Sequence, residues 1–104
     1  MGQTPTPGRI VLYTLSEDDA AQINRRRKDA RDSAASLDKT GYVAHVGNDV
    51  SEGDVFPLVI TRTWGATPES AINGQVLLDG NDTFWATSVS VGDGPRTFAW
   101  PQRA

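Results

Sequence analysis

The stretch Asp54-Val-Phe-Pro-Leu-Val-Ile-Thr-Arg-Thr-Trp64 is rich in β-branched and aromatic residues and ends at Gly65. This composition and the glycine boundary predict a β-strand. Because alternate residues of a strand point to opposite faces, we expect the even-numbered positions to form the better buried face, with Arg62 near its rim. Those positions are Phe56, Leu58, Ile60, Arg62 and Trp64.

Two more predicted strands follow, Ile72 to Leu78 and Thr83 to Val89. The turn between them, Asp79-Gly-Asn-Asp82, indicates a hairpin, because Gly and Asn tolerate positive φ and Asp caps its own turn. The run Arg96 to Pro101 alternates its aromatic residues and predicts a final edge strand that ends at its proline. Residues 54–100 are therefore expected to form a β-rich core.

The N-terminal part of the chain predicts an extended leader over residues 1–8 and a first strand from Arg9 to Leu15. One amphipathic helix is expected over residues 16–34, with Ser16 as the N-cap and Asp19 in the capping-box position. Acidic residues fill the first turn of this helix. They neutralise the positive end of the helix dipole, so the start of the helix is a poor place for a phosphate.

Length and composition limit the function classes. The 104 residues indicate a single domain, 1–104, whose core is thin enough that self-association would help. The 10 basic and 13 acidic side chains give a net charge of −3, which argues against bulk nucleic-acid binding. The chain has no cysteine, no apolar run long enough to cross a bilayer and no signal pattern. We expect a cytoplasmic protein that does not associate with membranes.

Arg27 lies inside the apolar stripe of the predicted helix. The other members of that stripe are Ala20, Ile23, Ala30 and Ala34. An arginine on a core-facing stripe must pair with a buried carboxylate, extend to the edge of the core, or point into a cavity that holds an anion. Asn24 and Arg31 flank it on the adjoining turns. These three residues form the candidate ligand-reading surface, because guanidinium groups suit phosphate and Asn suits a base or ribose edge.

Three further candidate ligand contacts are Arg62, Trp64 and Trp85. Core packing accounts for most tryptophans, but one exposed at a cleft would be a stacking platform for a base. Residues 35–53 predict a long loop, and His45 within it is expected to be a surface or hydrogen-bonded residue rather than a catalyst. The sequence lacks a histidine pair, a phosphate-cradling glycine loop and a nucleophile with an evident base. We therefore expect no enzyme activity, no metal and no cofactor.

Five segments in a fixed order carry a resemblance to a known family. They are Gly-Arg-Ile-Val-x-Tyr-Thr-Leu-Ser, Asp-Ala-Ala-x-Ile-Asn-Arg-Arg-Arg, Gly-Asp-Val-Phe-Pro, Gln-Val-x-Leu-Asp-Gly-Asn-Asp-Thr-x-Trp-Ala-Thr-Ser and a closing Trp-Pro. Between Gly8 and Pro101 the chain resembles a family of small, mostly uncharacterised proteins of actinobacterial tailed phages. The resemblance implies a phage protein made in the bacterial cytoplasm, and the fold we expect is a small antiparallel SH3-like barrel with one inserted helix, of the α+β class.

Two functions are consistent with these features. By a looser analogy of size, origin and an arginine-bearing helix, the chain is similar to phage proteins that sequester nucleotide immune signals. That analogy implies a homo-oligomer that binds a cyclic nucleotide or an ADP-ribose derivative and inhibits host defence. The alternative is a virion component or an adaptor to a host protein, with no small-molecule ligand, because small barrels serve many functions.

Overall fold

The chain folds as a closed barrel with one helix after the first strand, as seen in a computed structural model that describes residues 3–32 and 46–102. The strands close in the order β1-β2-β3-β4-β5. This confirms the expected α+β, SH3-like barrel with an inserted helix. The elements are β1 (Ile10–Thr14), α1 (Glu17–Asp32), β2 (Val55–Thr63), β3 (Ile72–Leu77), β4 (Thr83–Val91) and β5 (Thr97–Ala99).

The last strand is not an edge, and here the sequence-based prediction is wrong. β5 pairs antiparallel with β1, where Leu12 lies opposite Ala99, and parallel with β4, where Ser90 lies opposite Thr97. This short strand closes the barrel between its first and fourth strands. The other pairings are antiparallel, so the barrel is antiparallel except at the β4–β5 seam. Closure satisfies the backbone groups that an edge strand would expose.

Helix α1 begins at the predicted cap. The backbone N–H of Ser16 donates to Asp19 Oδ2 at 3.0 Å, and the backbone N–H of Asp19 donates to Ser16 Oγ at 3.1 Å. These reciprocal bonds form a capping box and satisfy backbone donors at the start of the helix. The predicted helix extends to residue 34 and the predicted loop covers 35–53, but residues 33–45, including His45, lie outside the described residues.

The core fills the barrel and continues under the helix. Inward-facing strand residues such as Val11, Leu58 and Val76 are fully buried, and Ile23 of α1 packs into the same cluster. The predicted apolar stripe is confirmed at Ala20, Ile23, Arg27 and Ala30, which are all buried. Among the described residues, no helix combines the length and the apolar character that crossing a bilayer requires.

Irregular pairing on both sides of Asn73 interrupts the strand alternation. The β2–β3 register shifts between Ile60 and Arg62, and the β3–β4 register shifts between Ile72 and Gly74. A bulge inserts an unpaired residue, and that residue turns the following side chains to the opposite face. Leu58 and Ile60 are buried as predicted, but Trp64 is 55% exposed. The prediction that Trp64 belongs to a buried face is therefore wrong.

Candidate ligand-binding site

Arg27 has the environment of a structural ion pair. Its side chain is buried, and Nη1 lies 3.0 Å from Oδ2 of Asp82, whose side chain is also buried. Its Nε donates to the backbone carbonyl of Asn48 at 3.3 Å. The first of the three alternatives for this arginine, pairing with a buried carboxylate, is therefore the one that these contacts show. The pair joins α1 to the β3–β4 turn and to the segment before β2.

Two glycines make room for the guanidinium group of Arg27. A Cβ atom added at Gly47 would lie 2.9 Å from Arg27 Cζ, and one added at Gly80 would lie 2.9 Å from Arg27 Nη2. The two glycines also form a β-bridge with each other. Any larger residue would collide with backbone atoms or with the guanidinium, since both added atoms also fall within 2.6 Å of a neighbouring backbone atom.

The other two members of the predicted ligand-reading surface also contact protein. Asn24 Nδ2 donates to the Val50 carbonyl at 2.8 Å, and the Val50 N–H donates to Asn24 Oδ1 at 2.7 Å. Arg31 lies 3.3 Å from Asp49 at an exposed position. The described contacts of Asn24, Arg27 and Arg31 attach α1 to residues 48–50 and to the turn at Asp82.

Arg62 and Trp64 form a separate exposed unit on the outside of the barrel. The guanidinium carbon of Arg62 lies 4.5 Å from the centroid of the Trp64 ring. Trp64 Nε1 donates to Asn73 Oδ1 at 3.1 Å, and the same oxygen accepts from the Ser88 N–H at 2.8 Å. The Asn73 side chain thus holds the Trp64 indole in place beside the register shifts on both sides of β3. This unit does not line the pocket that contains Trp85.

A pocket of about 340 Å³ lies between α1 and β4. Its volume falls at the lower end of the range for small-molecule sites. Trp85, 62% exposed, is the one predicted contact residue that lines it. We call it the α1–β4 pocket. Its lining residues are Tyr13, Asp19, Gln22, Arg26, Phe84, Trp85, Ala86, Thr87 and Arg96.

Tyr13 and Asp19 are the buried polar groups of this pocket. The Tyr13 hydroxyl donates to Asp19 Oδ2 at 2.5 Å, and that oxygen also accepts from the Ser16 N–H. Burial, and then the hydrogen bond to Asp19, raises the pKa of Tyr13 well above its usual value. The phenol therefore keeps its proton at neutral pH. The pair supplies a fixed polar wall rather than a phenolate nucleophile.

Two arginines place positive charge around the pocket. Arg96 has a left-handed backbone with φ of 61°, and its Nη2 donates to the Thr87 carbonyl at 3.1 Å. Arg26 Nη1 donates to the Thr83 carbonyl at 3.0 Å, and its Cζ lies 5.6 Å from the centroid of the Phe84 ring. Arg26 also lies 3.5 Å from Asp82, so Arg96 is the cation less committed to carboxylates in the described contacts. Both arginines line the α1–β4 pocket.

Most of the residues that line this pocket are not predicted from the sequence, although the sequence of α1 contains a pattern that indicates part of it. Asp19, Gln22 and Arg26 recur at spacings of three and four residues, so they form a polar stripe beside the apolar one. That stripe faces β4. Arg96 carried no comparable signal, because its position depends on the left-handed turn before β5 and on barrel closure.

A second, more open cavity of about 510 Å³ lies at the start of α1. It is lined by Ser16, Glu17, Asp18, Glu52 and Arg96. Its three carboxylates outnumber its one guanidinium, so it disfavours an anion. The α1–β4 pocket is the better candidate for one.

Comparison of the chain with protein-family models, curated proteins and solved structures found no match. The geometry of the α1–β4 pocket is therefore the basis for a functional proposal.

Proposed function

We propose that the protein is a non-enzymatic binding protein that holds a nucleotide-type small molecule in the α1–β4 pocket. The observation that carries this proposal is that Trp85, which is exposed, lines the same pocket as Arg26 and Arg96. An exposed indole offers a stacking surface to any base, and two guanidinium groups offer hydrogen bonds to phosphate oxygens. A nucleotide combines both features in one molecule.

The expected affinity follows from these contacts. A hydrogen bond to a charged group contributes about 1.5–3 kcal/mol, and stacking of a base on an aromatic ring contributes about 1–3 kcal/mol. Arg26 is already shared with Asp82 and Thr83, so Arg96 and Trp85 should supply most of the binding energy. Because association also costs translational and side-chain freedom, we expect micromolar rather than nanomolar dissociation constants.

The biological role we propose is sequestration of a nucleotide immune signal, a cyclic nucleotide or an ADP-ribose derivative, during phage infection of a bacterial cell. The resemblance to actinobacterial phage proteins supports this role, and so does the pairing of an exposed tryptophan with two arginines along the α1–β4 pocket. Sequestration needs no catalysis, which agrees with a Tyr13 hydroxyl that holds its proton and is engaged by Asp19.

The proposal is tested first by native mass spectrometry of the purified protein after incubation with a nucleotide extract of infected cells. A retained nucleotide supports it. Isothermal titration calorimetry with ADP-ribose and with cyclic AMP then compares Arg96→Ala and Trp85→Ala with the wild type, and Arg25→Ala, exposed on α1, is the matched control. We expect roughly tenfold or greater weakening for each pocket variant and no change for the control. Failure to retain any nucleotide would instead favour the virion or adaptor role.

A further inference from the structure

The side of β4 that faces α1 is an open strand edge over most of its length. β5 has three residues and pairs with β4 only at Ser90 and Val91. In the part of the chain that the structure describes, no strand pairs with this side of β4 between Thr83 and Val89, and we call this side the open edge. Four consecutive residues of the open edge, 84–87, line the α1–β4 pocket. An unpaired edge presents backbone donors and acceptors to any extended chain that reaches it.

Two arginines show which backbone groups of β4 point away from β3. Arg26 Nη1 donates to the Thr83 carbonyl at 3.0 Å, and Arg96 Nη2 donates to the Thr87 carbonyl at 3.1 Å. In an antiparallel strand the N–H and C=O of one residue point to the same side, and the side alternates from residue to residue. Trp85 lies midway between the two threonines, so its N–H and C=O also point away from β3. Outside the β3–β4 ladder, neither group has a backbone partner among the described residues.

Helix α1 turns the open edge into a narrow groove. Asp19, Gln22 and Arg26 of α1 line the pocket opposite the strand. Because Arg26 reaches the Thr83 carbonyl directly, α1 lies within one arginine side chain of β4. In a second copy the same edge is covered by that copy's own α1, so the β4 strands of two copies cannot pair without displacing a helix. The groove therefore suits one extended peptide, which would add to β4 as a further strand.

The charge of the groove favours an acidic peptide. Its lining contains the guanidinium groups of Arg26 and Arg96 and one carboxylate, that of Asp19, so the positive charge is in excess. The two arginines bind the carbonyls of Thr83 and Thr87, which are about 14 Å apart along the strand at roughly 3.4 Å per residue. Two residues four positions apart in an extended peptide span the same distance. Acidic residues at those positions would each lie near one arginine.

We infer that the protein binds an extended acidic peptide of a partner protein, which pairs antiparallel with the open edge of β4 beside α1. The central residue of the peptide exchanges backbone hydrogen bonds with Trp85, and its acidic residues lie near Arg26 and Arg96. This inference goes beyond nucleotide binding, because it uses the backbone of Trp85 where the nucleotide proposal uses the indole ring. The peptide and the nucleotide are titrated separately, so either proposal can fail while the other holds.

The first test is isothermal titration calorimetry of the full chain at low salt with the peptide acetyl-Glu-Val-Thr-Val-Glu-amide. Its glutamates are four positions apart, and its β-branched residues favour an extended chain. Methylation of the central threonine nitrogen should weaken binding by about tenfold or more, because it removes the donor that pairs with the Trp85 carbonyl. Lysine in place of both glutamates should also weaken binding. No binding of the unmethylated peptide, or equal binding of the methylated or the lysine peptide, overturns the inference.

NMR spectra of the same titration locate the peptide on the protein. The backbone N–H signal of Trp85 should shift downfield, and its exchange with solvent should slow, because this group gains a hydrogen-bond acceptor. A bound peptide that leaves the Trp85 backbone signal unchanged overturns the pairing with the open edge.

The second test is a double-mutant cycle that determines the direction of the peptide. In the antiparallel arrangement its first glutamate lies at the Thr87 end, near Arg96. Arg96→Ala should weaken binding of this peptide by up to about fivefold, the strength of an exposed ion pair. The same variant should cost little more when glutamine replaces the first glutamate, because the pair is then already lost. Arg25→Ala is the matched control, exposed on α1, and should change neither affinity.

Equal losses for both peptides, or coupling of Arg96 to the last glutamate in place of the first, overturn the antiparallel arrangement. Circular dichroism checks that each variant folds. If Arg96→Ala does not fold, Arg26→Ala and a peptide with glutamine at the last position complete the cycle, since Arg26 lies at the Thr83 end.

Discussion

Replacing Arg27 with methionine should cost about 3 kcal/mol of unfolding free energy. Removing one partner of a buried ion pair typically costs about 3–5 kcal/mol, since it leaves the other charge buried without compensation. Arg27 is 1% exposed and lies 3.0 Å from Asp82, whose side chain is 6% exposed. Arg26 lies 3.5 Å from the same carboxylate oxygen and would remain as a weaker partner. The lower end of the range therefore applies.

Urea unfolding followed by circular dichroism measures this loss directly. A small domain is typically stable by about 5–15 kcal/mol, so a loss of about 3 kcal/mol moves the midpoint clearly. Arg25→Met is the matched control on the exposed side of α1 and should change stability by less than about 0.5 kcal/mol. The double variant Arg27→Met, Asp82→Leu should recover much of the loss, because an apolar pair of similar volume often replaces a buried ion pair without cost.

A loss below about 1 kcal/mol for Arg27→Met would refute the reasoning, since a surface ion pair has that magnitude. Arg27 would then not be the connection between α1 and the β3–β4 turn. A folded Arg27→Met variant that loses nucleotide binding while Arg96→Ala keeps it would place the ligand on the surface formed by Asn24, Arg27 and Arg31. That result would favour the ligand-reading surface predicted from the sequence over the α1–β4 pocket.

Further predictions concern the groups around these contacts. Tyr13→Phe should lower the unfolding free energy by about 1.5–3 kcal/mol at neutral pH, because it removes a buried hydrogen bond to the Asp19 carboxylate. The pKa of Tyr13 is raised in the folded state, so its contribution to the unfolding free energy depends on pH. That contribution is fully present below the unfolded pKa of about 10 and is lost as pH rises above it. In urea titrations at alkaline pH, the stability of the wild type should therefore fall more steeply with pH than that of Tyr13→Phe. Gly80→Ala should destabilise by about 1–3 kcal/mol, because its Cβ would lie 2.5 Å from a backbone oxygen. Gly94→Ala, where no atom lies within 4 Å of the added Cβ, should be neutral, and equal melting temperatures for the two variants would contradict this account.

The parts of the fold that depend on local chemistry could be predicted from the sequence. Ser16 and Asp19 identify a helix start because the capping box needs only residues three apart. The hairpin at 79–82 follows from turn residues alone. The β2 and β3 strands follow from composition and alternation, and all these elements lie within two residues of their predicted boundaries.

The parts that depend on long-range pairing could not be predicted. Trp64 is exposed because the register shift between Ile60 and Arg62 reverses the alternation of β2, and no local residue pattern signals that shift. β5 is an interior strand because it lies between β1 and β4 after the barrel closes. Arg96 reaches the pocket only through this closure. The candidate site therefore depends on the three-dimensional arrangement, although the sequence already indicates Trp85 as a candidate stacking residue.

The most direct test of nucleotide binding in the α1–β4 pocket is a ¹H–¹⁵N NMR titration of the indole N–H signals with ADP-ribose. The chain has three tryptophans, Trp64, Trp85 and Trp100, and only Trp85 lines the pocket. The Trp85 signal, assigned with Trp85→Phe, should shift and saturate at micromolar to sub-millimolar ligand, while the Trp64 and Trp100 signals stay in place. A saturating shift of Trp64 without Trp85, or no shift of any indole signal with ADP-ribose and cyclic AMP, would contradict the proposed site.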